Sequence, residues 1–194
     1  MHTIEPYFKW RDLYIASEDT ASPFYGTTYN EFSFTKKIYN YFIHPQWDKF
    51  GSSTLYLKVL FVDYDTKYAI IELIGEWNDC IHNDIMFLKR DVIDALTKQD
   101  IKHFILVCDN VLNFHGSDDC YYEEWYEDIR DDGGWITCIN TFDHVLQEME
   151  MAGLQYYMNV GIQFNDVAWH GKQPKHLFQE VHSRLHGGVQ QLRN

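Results

Sequence analysis

The chain has 194 residues, 16 of them basic and 29 acidic, for a formal charge of −13. That balance repels nucleic acid backbones and anionic membrane surfaces, and no Lys/Arg cluster supplies a positive footprint to offset it. Apolar residues make up 45% and aromatic residues 17%, enough for one ordinary domain with a real core plus extensions, and rich in rings that suit interfaces as well as interiors.

Residues 1–50 hold three of the four prolines, Pro6, Pro23 and Pro45. Phe8, Trp10, Leu13 and Tyr14 have the spacing of a short amphipathic helix. Pro23 and Gly26 break the polar stretch that follows. Glu31 to Ile43 alternates as a strand through Phe32, Phe34, Ile38 and Tyr41, and His44 to Ser53 reads as a loop. Met1 to Arg11 has no apolar core of a signal peptide, and no run reaches the ~20 apolar residues of a spanning helix.

Thr54 to Val62 and Lys67 to Ile74 are rich in β-branched and aromatic residues. The intervening Asp63-Tyr64-Asp65-Thr66 predicts a turn, making this the clearest hairpin signal in the chain. Gly75 to Asn83 reads as a polar loop around Trp77. Asp84 to Gln99 is a predicted helix with Ile85, Leu88, Val92, Ala95 and Leu96 on one face, capped by Asn83 or Asp84, with Lys98 in its last turn. His103 to Val107 is a continuous apolar run, as for a strand buried on both faces.

Asp118 to Ile129 predicts a second, acidic helix stopped by Gly133-Gly134. Trp135 to Ile139 reads as a buried strand, Phe142 to Met151 as a helix ended by Gly153, and Leu154 to Val160 as a further strand. Pro174 suits the first turn of a last helix through Leu185, and the polar tail after Gly187-Gly188 is expected to fray. The order is a hairpin followed by three helix–strand units, implying a largely parallel sheet with covered faces. The expected divisions are an aromatic extension with a candidate edge strand over 1–53, an α/β domain over 54–161, and a C-terminal loop and helix over 162–194. The four cysteines form no C-x-x-C pair, and Cys108 and Cys138 fall in apolar runs as buried thiols. That usage points to a reducing, cytoplasmic compartment.

Several of these segments resemble the STAS domain family, the anti-sigma-factor antagonists. Ile71-Glu72-Leu73-Ile74-Gly75-Glu76-Trp77-Asn78-Asp79 is similar to that family's Gly-Glu-Leu-Asp strand exit. Leu88 to Leu96 resembles its following helix, and Ile101 to Leu106 its next strand. Leu112-Asn113-Phe114-His115-Gly116-Ser117-Asp118 falls where the family carries Asp-Ser-Ser-Gly at a strand end. Gly116 stands in place of the acidic residue before the serine, and Asp118 and Asp119 in place of the second serine and the glycine. The resemblance covers about residues 55–160. It implies a STAS-like mixed sheet and a non-enzymatic regulatory module that binds a protein partner, in the bacterial partner-switching manner. It also makes Ser117 the phosphorylation candidate.

A serine at such a strand–helix turn sits where backbone amides converge. The plain alternative is that Ser117 or Asp118 caps the helix. The expected partner surface comprises Trp77, His115, Gly116, Ser117, Asp118, Asp119, Tyr121, Glu124 and Asp128, with the acidic helix facing a basic partner. A second reading makes the chain a structural subunit that assembles through its aromatic arm, which includes Trp10, Tyr14, Phe24, Tyr25, Tyr39 and Tyr41. The same rings could instead cover a sheet edge. A third reading is a carboxylate/histidine or metal-dependent enzyme using His115, Asp118, Asp119 and Glu123. His182 and His186, four apart on the last helix, have the spacing of a metal pair but read more simply as surface polar residues. No catalytic residue, cofactor or metal site is assigned from the sequence.

Overall fold

A computed structural model describes residues 4–191. Its centre is a sheet of four strands that neighbour one another in chain order. Strands β3 (Leu55–Asp63) and β4 (Tyr68–Asn78) form the expected antiparallel hairpin, with Leu55 opposite Gly75 and Asp63 opposite Tyr68. The Asp63 carboxylate closes the turn by accepting the amides of Asp65 and Thr66 at 3.0 and 2.8 Å. β5 (His103–His115) then pairs parallel with β4, and β6 (Trp135–Ile139) parallel with β5. The mixed α/β fold class expected from the sequence is the one the chain adopts.

Strand alternation gives the sheet two apolar faces. Leu57, Ala69, Ile71, Leu73, Phe104, Leu106 and Ile136 lie on one. They are covered by the helical stretch Asp84–Thr97, by α4 (Cys120–Arg130) and by α5 (Asp143–Met151). That stretch is α2 (Asp84–Phe87), a π-helical turn over Leu88–Ile93 and α3 (Asp94–Thr97). Leu60, Tyr68, Ile70, Ile105, Val107 and Ile139 lie on the other face, beneath Trp10, Trp169 and α6 (Pro174–Gln191). Cys108 and Cys138 are buried thiols, as their apolar runs imply.

Five expectations change. Phe8 to Tyr14 makes isolated turns, not a helix: Trp10 is buried against the sheet and its carbonyl accepts the amides of Leu13 and Tyr14. Glu31 to Ile43 shortens to two strands of two residues each, β1 (Lys37–Ile38) and β2 (Tyr41–Phe42). Gly75 to Asn78 is the end of β4, not a loop, because parallel pairing with β5 continues to Asn78 opposite His115. Its exit is the single-turn helix α1 (Asp79–His82), and Asn83, in the left-handed region at φ 52°, ends that turn without capping α2 through its side chain.

Leu154 to Val160 is not a strand: Gly153, at φ 80°, leads into a 3-10 turn over Leu154–Tyr156, and only Asn159 bridges to Thr137. Finally, α6 runs past Leu185 to Gln191, so Gly187 and Gly188 do not end it; the tail beyond Gln191 lies outside the described residues. No described helix is long and apolar enough to cross a membrane.

Candidate functional site

The C-terminal end of β5 delivers the chain to the Ser117 turn. Phe114 is buried and its amide donates to the Glu148 carboxylate at 3.1 Å, which fixes the strand end against α5. His115, Ser117, Asp118 and Asp119 are exposed, and Gly116 is half-buried. A Cβ on Gly116 would lie 2.7 Å from the Ala152 methyl and 2.9 Å from the Phe114 ring, so close approach, not backbone freedom, requires glycine here. The Cys80 thiol donates to the Gly116 carbonyl at 2.7 Å, bringing α1 against the same turn.

Ser117 does not cap the following helix. Its Oγ accepts only the adjacent Asp118 amide, at 2.5 Å. Asp118 takes the Cys120 amide at 2.8 Å, and this bond holds its carboxyl below the usual carboxylate range. Asp119 occupies the N-cap position of α4 but makes no side-chain cap. Its carboxylate instead accepts the Tyr157 hydroxyl at 2.7 Å and pushes that phenol up to about 12. The carboxylates beside Ser117 are therefore taken up by separate partners, and His115, Asp118, Asp119 and Glu123 form no metal-like cluster among the described residues.

Trp77 does not belong to this surface. It is fully buried, stacked 6.2 Å from Tyr122 and edge-on to Phe114 at 5.9 Å. Tyr121, Glu124 and Asp128 are also engaged within the chain. Arg90 grips Glu124 with both guanidinium nitrogens, one bond measuring 2.7 Å, and lies over the Tyr121 ring at 5.4 Å. Lys89 pairs with Asp128 at 2.9 Å, with Glu124 at 3.3 Å and with Asp94. The π-helical turn explains this, because it places Lys89 and Arg90 opposite α4. Asp94, Glu124 and Asp128 are the carboxylate group among the described residues with metal-like spacing, and the Lys89 ammonium already pairs with all three. His182 and His186 stack at 4.2 Å, with Nδ1 of His186 on the His182 carbonyl.

The sequence reading missed the buried carboxylates that support the turn from beneath. Asp79 accepts the Tyr122 hydroxyl at 2.5 Å, the Ile85 amide at 2.8 Å and the Trp77 indole N–H at 3.2 Å. Burial nevertheless pushes its carboxyl up to about 6. Asp84 accepts the Asn78 amide at 2.8 Å and is raised by burial too. The signal was present: Asn78, whose side chain takes the Ile81 amide at 2.9 Å, is a capping residue directly before Asp79.

Each segment that contacts the Ser117 turn also carries an exposed apolar side chain. Ile81 follows Cys80 and is 76% exposed; Met151 precedes Ala152 and is 80% exposed; Tyr156 precedes Tyr157 and is 74% exposed.

No family model matches the chain, and no curated protein matches it. Among solved structures it is similar to the anti-sigma factor antagonist SpoIIAA in its unphosphorylated form, at 14% identity and a TM-score of 0.47, covering 68% of this chain and 96% of that one. A Thermotoga maritima protein described as a candidate anti-sigma factor antagonist matches at 14% identity and a TM-score of 0.43, over 65% of this chain and 92% of that one. The Bacillus cell fate determinant SpoIIAA in its phosphorylated form matches at 13% identity and a TM-score of 0.42, over 64% and 98%.

Proposed function

We propose that this chain is a non-enzymatic, regulatory protein-interaction module that docks a protein partner through the Ser117 turn and is switched by phosphorylation there. One observation carries the reading: an exposed serine turn, free of capping duty, is contacted by three segments that each carry a large, mostly exposed side chain, Ile81, Met151 and Tyr156. Exposed apolar side chains on the elements beside a polar loop suit the centre of an interface. The sequence resemblance to the antagonist family points to the same serine. Phosphorylation would add roughly −1.5 to −2 charges beside Asp118, Asp119 and Glu123, which repels an acidic partner seated on that turn.

The test is co-purification from the native host with tagged wild type, Ser117→Ala, Ser117→Glu and Met151→Asp, together with intact-mass measurement of the wild type. Ser117→Ala should retain the partner, whereas Ser117→Glu and Met151→Asp should lower its recovery by about tenfold, equivalent to ~1.4 kcal/mol. Equal recovery by all four would remove the docking reading, and an unmodified wild type would remove the switch. A second reading, assembly through the N-terminal arm, is favoured by Tyr25, Phe32, Tyr39 and Tyr41, which are 58–92% exposed. A stable complex that survives Met151→Asp but not Phe32→Asp would support it.

A further inference from the structure

Tyr68, His103 and Trp135 stand side by side on β4, β5 and β6, each in register with the next. Phe178 of α6 is laid on this row. Its ring stacks on Tyr68 at 4.3 Å and on Trp135 at 5.7 Å, and lies 5.7 Å from His103, which is itself 5.0 Å from Trp135. Three buried polar atoms of the row have no hydrogen-bond partner among the described residues: the Tyr68 hydroxyl, the Trp135 indole nitrogen and Nδ1 of His103. The Phe178 ring offers them neither donor nor acceptor, and groups left so weaken the contact that buries them.

Of the three, only His103 gains a charge in mild acid. An imidazolium would bring a second N–H donor and a full charge to a position that already leaves Nδ1 unpartnered. The neighbours do not offset it. Across the contact, α6 brings His182, 5.9 Å from Phe178, with His186 stacked on His182 at 4.2 Å. Lys102 adds a like charge from the adjoining position. The one acid of α6, Glu180, is taken by Lys172 and by Arg184 at 2.8 Å. The exposed acids of the adjoining turns, Asp100 and Asp132, pair with Lys67 at 2.9 Å and Lys102 at 3.9 Å, and Asp63 accepts the amides of its own turn. Burial first, then His182 and Lys102, hold the His103 ring down at about 4. Burial and His186 lower His182 in the same direction. Glu72, on the same sheet face under Tyr7 and near Asp109, is raised to about 8 and so strengthens the fold as pH falls.

The geometry points to α6 as a strap that mild acid releases from the sheet, with His103 as its trigger: protonation of the imidazole breaks the Phe178 contact and lays bare the apolar face that α6 covers. With α6 closed the ring titrates at about 4, and once uncovered it returns to its ordinary 6.5. The open state therefore takes up a proton that the closed state refuses, and closure weakens as pH falls below 6.5. Those two values set an increase in the open fraction of about twentyfold between about pH 7 and about pH 5. The bonds from Arg184 to the Gln163 and Asn165 carbonyls, at 2.9 and 3.1 Å, keep their charge throughout this range, which leaves His103 as the contact that changes.

Native-state amide hydrogen exchange of the full chain at about pH 7 and about pH 5, corrected for intrinsic exchange rates, reads the opening of α6 against that of β4. In the wild type, protection of residues 177–186 should fall by about twentyfold while that of β4 holds. In His103→Gln, which stays neutral, the fall should be less than about threefold. The His103 ring, followed by NMR in the wild type, should titrate below about pH 5, a measurement that decides the matter even where the variant fails to fold. Equal α6 protection at the two pH values, the same fall in His103→Gln, a fall shared by β4, or a His103 midpoint near 6.5 would each overturn the assignment. α6 packs on the sheet face opposite α4, so this proposal and the docking reading stand or fall separately.

Discussion

Glu72 sits in the middle of β4, almost fully buried, on the face covered by the N-terminal arm. It accepts the Tyr7 amide at 2.8 Å, and burial, with the Asp109 carboxylate nearby, raises its carboxyl to about 8. The unfolded chain keeps an ordinary glutamate, which titrates near 4.5. Between those values the folded state holds a proton that the unfolded state has released, so stability falls as pH rises through this window and the loss is complete above about 8. Asp79, raised to about 6, acts in the same direction but has finished by then. Chemical denaturation at about pH 6.5 and about pH 9 should therefore show the wild type losing ~2 kcal/mol more than Glu72→Gln. A parallel loss in both proteins would show that Glu72 carries no buried charge. The sequence shows Glu72 between Ile71 and Leu73 on a strand, which fixes that it faces opposite to them. It does not show that a segment 65 residues earlier closes over that face.

Among the elements, the helix over Asp84–Thr97 shows where periodicity succeeds and where it stops. Ile85, Leu88, Val92 and Leu96 face the core as their spacing predicts. The π-helical turn at Leu88–Ile93 lies within this stretch, and Lys89, four residues after Ile85, shares the inward face as a charged residue. Lys89 then becomes the hub that joins this helix to α4 through Glu124 and Asp128. Lys89→Ala should cost about 2 kcal/mol, because it removes the counter-charge of Asp128 and leaves Asp94 and Glu124 to Arg90 alone. Arg90→Ala, on the exposed side of the same turn, should cost less than about 1 kcal/mol. Urea titrations of the two variants decide it; equal losses would show that the burial of Lys89 has no energetic consequence. The Ser117 turn, by contrast, was legible as a turn, since β5, the glycine and the helix after it are all marked in the sequence. The segments that meet it were not, because Cys80, Ala152 and Tyr157 come from three separate parts of the chain.

At the scale of the whole molecule, the two ends of the chain interlock on one face of the sheet. The Trp10 indole N–H donates to the Lys172 carbonyl at 2.8 Å, and the Gly171 amide to the Tyr7 hydroxyl at 2.8 Å. Tyr7, Trp10, Trp169 and His170 pack edge-to-face and stacked, with ring centres 4.0–5.7 Å apart. The sequence marks the N-terminal arm as aromatic and offers edge covering or assembly; in the structure Trp10 and Tyr7 cover a face, while Phe32, Tyr39 and Tyr41 stay exposed. Trp10→Ala should destabilise the protein by about 3–5 kcal/mol. It should also open both ends to chymotrypsin together, with cleavage near Tyr7 and near Trp169 at matching rates. Independent cleavage at the two ends would show that they do not act as one unit.

The same interlock imposes an order on biosynthesis. Tyr7 and Trp10 leave the ribosome early, but Trp169 and Lys172, which hold them, emerge some 160 residues later. Throughout that interval Tyr68, Ile70, Ile105 and Val107 have no lid, so the nascent chain carries a naked apolar surface until its final segment arrives. Such a polypeptide has reason to engage a chaperone before it ever meets a partner.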